Sequence, residues 1–259
     1  MKHHKILAWA LTVLLFTLVA HTAIAQSSIF NVPTTDVVDK GKAYLEFDFL
    51  PQMPATAGAP RRYLYIPRLI VGLPSKVEVG FNVLTIQNSK SCNPTPATCS
   101  YAQPNLKWKF YSKDRIGVAL AVGALLHTPI NKRHGQDSWG LLYAQVSKKV
   151  KTGNYGPRFH GGPYGLTSAN QDPIEGPISF SGPRAGVILG YEQPVHEKIN
   201  IVADWFSGKN FYGYFTPGVS FTLPGSSLFN VGYSFGNDSW ASNNATKNRF
   251  LYVYYGATF

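Results

Sequence analysis

The chain has 259 residues, 44% of them hydrophobic, yet its mean hydropathy is only −0.09. After residue 25 no stretch reaches the roughly 18 continuous apolar residues that a spanning helix needs, so a helical membrane bundle is excluded. A net charge of +11 suits either nucleic acid or anionic lipid, and the N-terminal residues decide between them.

Those residues read as a leader. Lys2 and Lys5 give a basic start, an apolar run extends from Ile6 to Ala20, and Ala23-Ile24-Ala25 supplies a small-x-small cleavage pattern. Residues 1–25 are therefore expected to be a cleavable signal peptide, and the mature chain starts at Gln26. Setting aside Lys2 and Lys5 leaves 22 basic residues against 13 acidic, a net of +9. An exported chain meets lipid head groups and lipopolysaccharide phosphates rather than nucleic acid. Residues 26–41 form an N-terminal segment, expected on the periplasmic side and free to fold into a barrel mouth.

From residue 42 onward, alternation with period two recurs almost everywhere. Ala43, Leu45, Phe47 and Phe49 share one face of the first element, and Glu46 and Asp48 lie on the other. The pattern repeats through Val77, Val79, Phe81 and Val83, with Glu78 opposite and Lys76 just before. It repeats again through Leu106, Trp108 and Phe110, with Lys107 and Lys109 opposite. Ile116 to His127 alternates in the same way, and His127 falls on the less apolar face. Later stripes are Ala185, Val187, Leu189, Tyr191; Ile199, Ile201, Ala203, Trp205; and Phe229, Val231, Tyr233, Phe235. Arg184, Glu192 and Asp204 lie on the faces opposite the first two of these.

Twelve strands result: 42–50, 62–72, 76–86, 104–111, 116–127, 139–148, 157–164, 184–193, 199–206, 213–222, 227–236 and 249–259. Ten is the alternative if 139–148 and 157–164, which carry Lys148, Lys149, Gly161, Gly162 and Pro163, are not strands. Links are alternately long (51–61, 87–103, 128–138, 165–183, 237–248) and short (73–75, 112–115, 194–198, 223–226). The link 207–212 is shorter than its place in the series predicts. Long external loops, tight periplasmic turns and an even strand number describe an antiparallel up-and-down transmembrane β-barrel over 42–259. The fold class is all-β. A soluble sandwich also alternates, but it has no reason to keep this order of links.

The last strand adds a resemblance. Leu251, Val253, Tyr255, Ala257 and a terminal Phe259 resemble the assembly signal of bacterial outer-membrane proteins. The resemblance implies the barrel-assembly machinery as a partner and the outer membrane as the location. Phe30-Asn31-Val32-Pro33-Thr34-Thr35, Lys107-Trp108-Lys109-Phe110-Tyr111 and Ser207-Gly208 resemble the outer-membrane proteins of the phenol-degradation MetA-pathway family. That second resemblance implies a transport-like role without a defined substrate. Aromatic residues make up 14% of the chain. Tyr63, Tyr65, Phe110, Tyr111, Tyr191, Trp205, Phe206 and Phe259 lie near strand ends, where interfacial girdles form.

The chemistry-bearing motifs have plainer readings. Gly232-Tyr233-Ser234-Phe235-Gly236 matches a nucleophile elbow, but it lies inside an alternating strand with no helix after it and no later histidine. Of the histidines after the leader, His127, His134, His160 and His196, no pair has metal-ligand spacing, so no metal and no cofactor are expected. Cys92 and Cys99 are expected to form a disulfide that closes a small loop. His127 is the one plausible base for an outer-membrane lipid hydrolase, and its plainer role is to line the pore.

The inward faces carry seven cations: Arg62, Arg68, Lys76, Lys107, Lys109, Arg158 and Arg184. Five anions stand against them: Glu46, Asp48, Glu78, Glu192 and Asp204. With His127 these are the pore-lining candidates, and the surplus of cations suggests a weak preference for anions. The leading expectation is a small passive channel or uptake porin for small solutes. A closed barrel working through its outer loops is the second expectation, and a lipid hydrolase the third.

Overall fold

The computed structural model describes residues 27–53, 61–89, 97–130, 138–150, 155–168, 184–237 and 248–259. Its strands are β1 (Ala43–Pro51), β2 (Tyr63–Leu73), β3 (Val77–Ser89), β4 (Ala97–Lys113), β5 (Val118–Pro129) and β6 (Trp139–Lys149). The second half comprises β7 (Arg158–Ser168), β8 (Ala185–His196), β9 (Ile199–Phe206), β10 (Tyr214–Leu223), β11 (Ser227–Gly236) and β12 (Arg249–Thr258). Every strand pairs antiparallel with its sequence neighbours, and β1 also pairs with β12. The result is a closed up-and-down barrel of twelve strands. β6 and β7 are both present, so the ten-strand alternative falls.

The direction of burial separates this barrel from a soluble sandwich. On β1, Leu45 and Phe47 are half exposed (50% and 49%), while Glu46 and Asp48, which alternate with them, are buried (3% and 0%). The same inversion holds on β4, where Leu106 and Trp108 are exposed and Lys107 between them is buried. Apolar side chains outside and ionic ones inside make sense only when hydrocarbon surrounds the wall. Closure removes the free edges that hydrocarbon does not tolerate. The seam runs from Tyr44↔Thr258 to Phe49↔Val253. Ala43 and Phe259 exchange backbone hydrogen bonds of 3.2 and 2.8 Å, so the last residue belongs to the ladder while its ring points outward.

The two ends of the barrel differ. Short turns and the described chain termini share one end. Ser75, Lys76, Gly117, Gly225 and Ser226 there take positive φ, which links of this length require. Lys76, expected on an inward face, is instead part of the turn Pro74–Lys76 and is exposed. At the opposite end β3 and β4 continue to the pair Ser89↔Ala97. Much of 87–103, expected as a loop, is therefore strand. Polar cross-strand partners such as Thr85 and Ser100, whose hydroxyls are 3.0 Å apart, extend the ladder without an apolar stripe to announce it.

Candidate functional site in the barrel lumen

Two segments of the chain itself enter the lumen. Residues 27–38 come from the turn end, and the link 207–213 folds in from the other. Four groups of wall contacts, with the Thr35 and Pro33 bonds to Ser147 and Gln145 besides, hold the N-terminal segment.

The first is Asp204 on β9. Its Oδ2 accepts hydrogen bonds from the backbone N–H groups of Phe30, Asn31 and Val32 at 3.0, 2.6 and 2.8 Å. Three consecutive amides converging on one oxygen form an anion nest, here filled by a wall carboxylate. The second is Glu78 on β3, which accepts from Ser27 Oγ (2.5 Å) and the Val38 amide (2.8 Å). Lys107 Nζ lies 2.9 Å from Glu78 and also donates to the Ser27 carbonyl (2.9 Å). The third is Asp36, whose carboxylate meets the Arg158 guanidinium at 2.5 and 3.0 Å and Lys109 Nζ at 3.6 Å. Burial alone would raise the Asp36 pKa, but Arg158, Lys109 and Lys107 outweigh it and hold the carboxyl well below its ordinary value. The fourth is apolar: Phe30 is fully buried, edge-on to Tyr252 and Tyr254 with centroids 5.2 and 6.0 Å away. Glycines make room for it. A Cβ on Gly218 or Gly232 would lie 2.5 Å from Phe30 Cζ.

Thr35 leads into a further chain. Its Oγ1 donates to Ser147 Oγ (2.8 Å), Ser147 lies 2.7 Å from His160 Nδ1, and His160 Nε2 lies 2.6 Å from Glu192. Serine, histidine and acid on β6, β7 and β8 repeat the elements of a hydrolase triad.

At the other end, Phe211 and Tyr212 of the link 207–213 turn inward. Tyr212 Oη is 2.6 Å from His127 Nε2, whose Nδ1 faces Gln103 Nε2 at 2.8 Å. The His127 ring stacks on Trp139 with centroids 3.6 Å apart. Asn210 fixes the link by donating to Tyr164 Oη (2.6 Å). Phe206, expected at the lipid interface, is buried inside and stacks on Tyr212.

A cavity of about 120 Å³ remains between the two plugs. Glu46, Arg68, Glu78, Asn82 and Lys107 make its polar part; Leu64, Leu84, Leu141, Phe211 and Phe250 make its apolar part. The polar charges are paired: Arg68 reaches Asp48 at 2.5 Å and Glu46 at 3.1 Å.

Of the pore-lining residues read from sequence, Glu46, Asp48, Arg68, Glu78, Lys107, Lys109, His127, Arg158, Glu192 and Asp204 all take part in this lumen network. Arg62 lies near the mouth opposite the short turns, bonded to Gln52 and Asn248 and 5.4 Å above the Phe250 ring. Arg184 and Lys76 are exposed at opposite ends of the wall. Cys99 is buried on β4, and Cys92 lies outside the described residues. Sequence reasoning missed Asp36, Ser147, Phe211 and Tyr212. The unexpectedly short link 207–212 was the one available signal for the last two.

Neither a protein-family model nor a curated protein matches the sequence. Among solved structures, the chain is similar to an outer membrane channel from Pseudomonas putida F1, with 10% identity and a TM-score of 0.48. That match covers 84% of this chain and 94% of the other.

Proposed function

We propose that the protein is an outer-membrane channel for small solutes and that the structure is its closed state. One observation carries this reading. The lumen is obstructed from the turn end by a separate N-terminal segment, bound by hydrogen bonds and ion pairs, and from the other end by the link 207–213. A barrel built only as a scaffold can fill its interior from the wall, as eight-stranded barrels do. A segment held by polar contacts can instead exchange them for water and leave. The remaining cavity, about 120 Å³, is in the size class that accepts benzene (roughly 150 Å³). Its mixed lining suits compact solutes with an apolar body and a polar end. Export by residues 1–25, residence among outer-membrane lipids and lipopolysaccharide, and insertion by the barrel-assembly machinery belong to the same reading.

Selectivity by charge should be weak. On the wall Arg62, Arg68, Lys107, Lys109 and Arg158 are matched in number by Glu46, Asp48, Glu78, Glu192 and Asp204, and Asp36 of the N-terminal segment adds a sixth carboxylate. Any anion preference arises at the mouths, where Lys76 and Arg184 are exposed. The test is planar-bilayer conductance of the mature protein against a variant lacking residues 27–38 and carrying Phe211→Ala/Tyr212→Ala, so that both obstructions are removed. Rare or small steps in the first and frequent larger ones in the second are expected. A silent deletion variant that is correctly folded would overturn the channel reading in favour of a closed structural barrel.

A lipid-hydrolase reading rests on Ser147, His160 and Glu192 rather than on His127. Against it, the strand registers commit the backbone around Ser147 to the β5–β6 and β6–β7 ladders, so no pair of free backbone N–H groups among the described residues stands beside it as an oxyanion hole. A fluorophosphonate probe that labelled Ser147 in the deletion variant would favour it.

A further inference from the structure

We propose that Lys109 and Arg158 form a carboxylate-binding site that the chain's own Asp36 fills, and that a small free carboxylate competing for this site releases the N-terminal segment. The proposal rests on the closed-channel reading for its consequence, but not for its chemistry.

Arg158 offers its fork in parallel to both Asp36 oxygens, Nη1 to Oδ2 at 2.5 Å and Nη2 to Oδ1 at 3.0 Å. This planar, two-point match is how arginine recognises carboxylates. Lys109 adds a point charge 3.6 Å from Oδ1. Lys109 faces inward with Lys107 by the strand's alternation, and the β4–β5 register shift between Trp108 and Tyr111 then leaves Phe110 and Tyr111 both outside. The three side chains are between 17% and 27% exposed, and the site lies at the turn end of the barrel, within reach of solutes on that side.

The wall does not neutralise this pair by itself. Among the described residues, Asp36 is the only carboxylate within ion-pair distance of Lys109. Arg158 has a second one, Glu192, at 3.7 Å, but that oxygen also lies 2.6 Å from His160 Nε2. When Asp36 leaves, two largely desolvated cations lose their counter-charge, which is costly unless an anion replaces it. Departure of the segment and arrival of an anion are therefore coupled, each favouring the other by the same factor. Phe30, Asp204 and Glu78 still hold the segment, so a carboxylate shifts the equilibrium without emptying the lumen.

The experiment is hydrogen–deuterium exchange of the peptide spanning residues 27–38, on the full mature protein in nanodiscs. Chloride is replaced by acetate at constant ionic strength. Wild type should exchange roughly five- to tenfold faster in acetate, the lower end of ordinary coupling between sites. Asp36→Asn should exchange fast in either salt. Lys109→Met/Arg158→Met should exchange fast and ignore acetate. If wild type does not respond to acetate while Asp36→Asn is fast, the clasp exists but takes no free carboxylate, and the proposal is overturned. If Asp36→Asn exchanges like wild type, the clasp itself is refuted. Exchange is read without any current, so a silent bilayer would count against the channel reading alone.

Discussion

Replacing Asp204 by asparagine tests how the N-terminal segment is held. The substitution keeps the volume and one acceptor oxygen, so the packing of β9 is preserved and only the charge is removed. Three backbone amides converge on Oδ2 at 3.0, 2.6 and 2.8 Å. A hydrogen bond to a charged group contributes about 1.5–3 kcal/mol and one to a neutral group about 0.5–1.5 kcal/mol. Losing about 1 kcal/mol at each of three bonds weakens the hold by about 3 kcal/mol, roughly a hundredfold in the opening equilibrium. Amide exchange at Phe30, Asn31 and Val32 should accelerate by that factor, while exchange in the strand ladders stays unchanged. Asp204→Ala should be more severe, because it leaves the three amides without any acceptor. Heat-modifiable migration on gels serves as the control for an intact barrel. If Asp204→Asn accelerates those amides by less than about threefold, the carboxylate nest is not what retains the segment.

Three further outcomes test separate contacts. Gly232→Ala puts a Cβ 2.5 Å from Phe30 Cζ and should expel that ring, raising conductance in bilayers; adding Phe30→Ala should restore exchange in the Gly232→Ala background at residues beyond position 30. Deleting Phe259 removes the backbone pair with Ala43 and the terminal aromatic, so heat-modifiable barrel should fall several-fold in outer-membrane fractions; normal yield would refute the assembly-signal reading. The Asp36 carboxyl is held below its ordinary value of 3.8, so its clasp is complete above that pH and is lost only as the pH falls further. Its contribution, measured as wild type against Asp36→Asn in exchange of residues 27–38, should be constant between about pH 5 and 8.

The alternation of Leu45 and Phe47 with Glu46 and Asp48, and its recurrence down the chain, determined the strands. With the order of long and short links it also determined which face meets lipid. A strand's side chains alternate whatever its partners do, so this information is local. The pairing of β12 with β1 was equally legible, because a closed barrel leaves those two edges no other partner. What occupies the lumen was not legible. Asp36 lies 122 positions from Arg158, and Phe30 lies 174 from Asp204. No local pattern marks such pairs, because residues 27–38 form no strand and bond mostly through backbone groups that every sequence possesses. The surplus of lumen cations counted from sequence also dissolved in three dimensions. Lys76 is in a turn, Arg184 is at the rim, and Asp36 arrives from outside the wall to face Lys109 and Arg158. The pleat of each strand decided the wall; only the paths of the N-terminal segment and of the link 207–213 through it decided what fills the lumen.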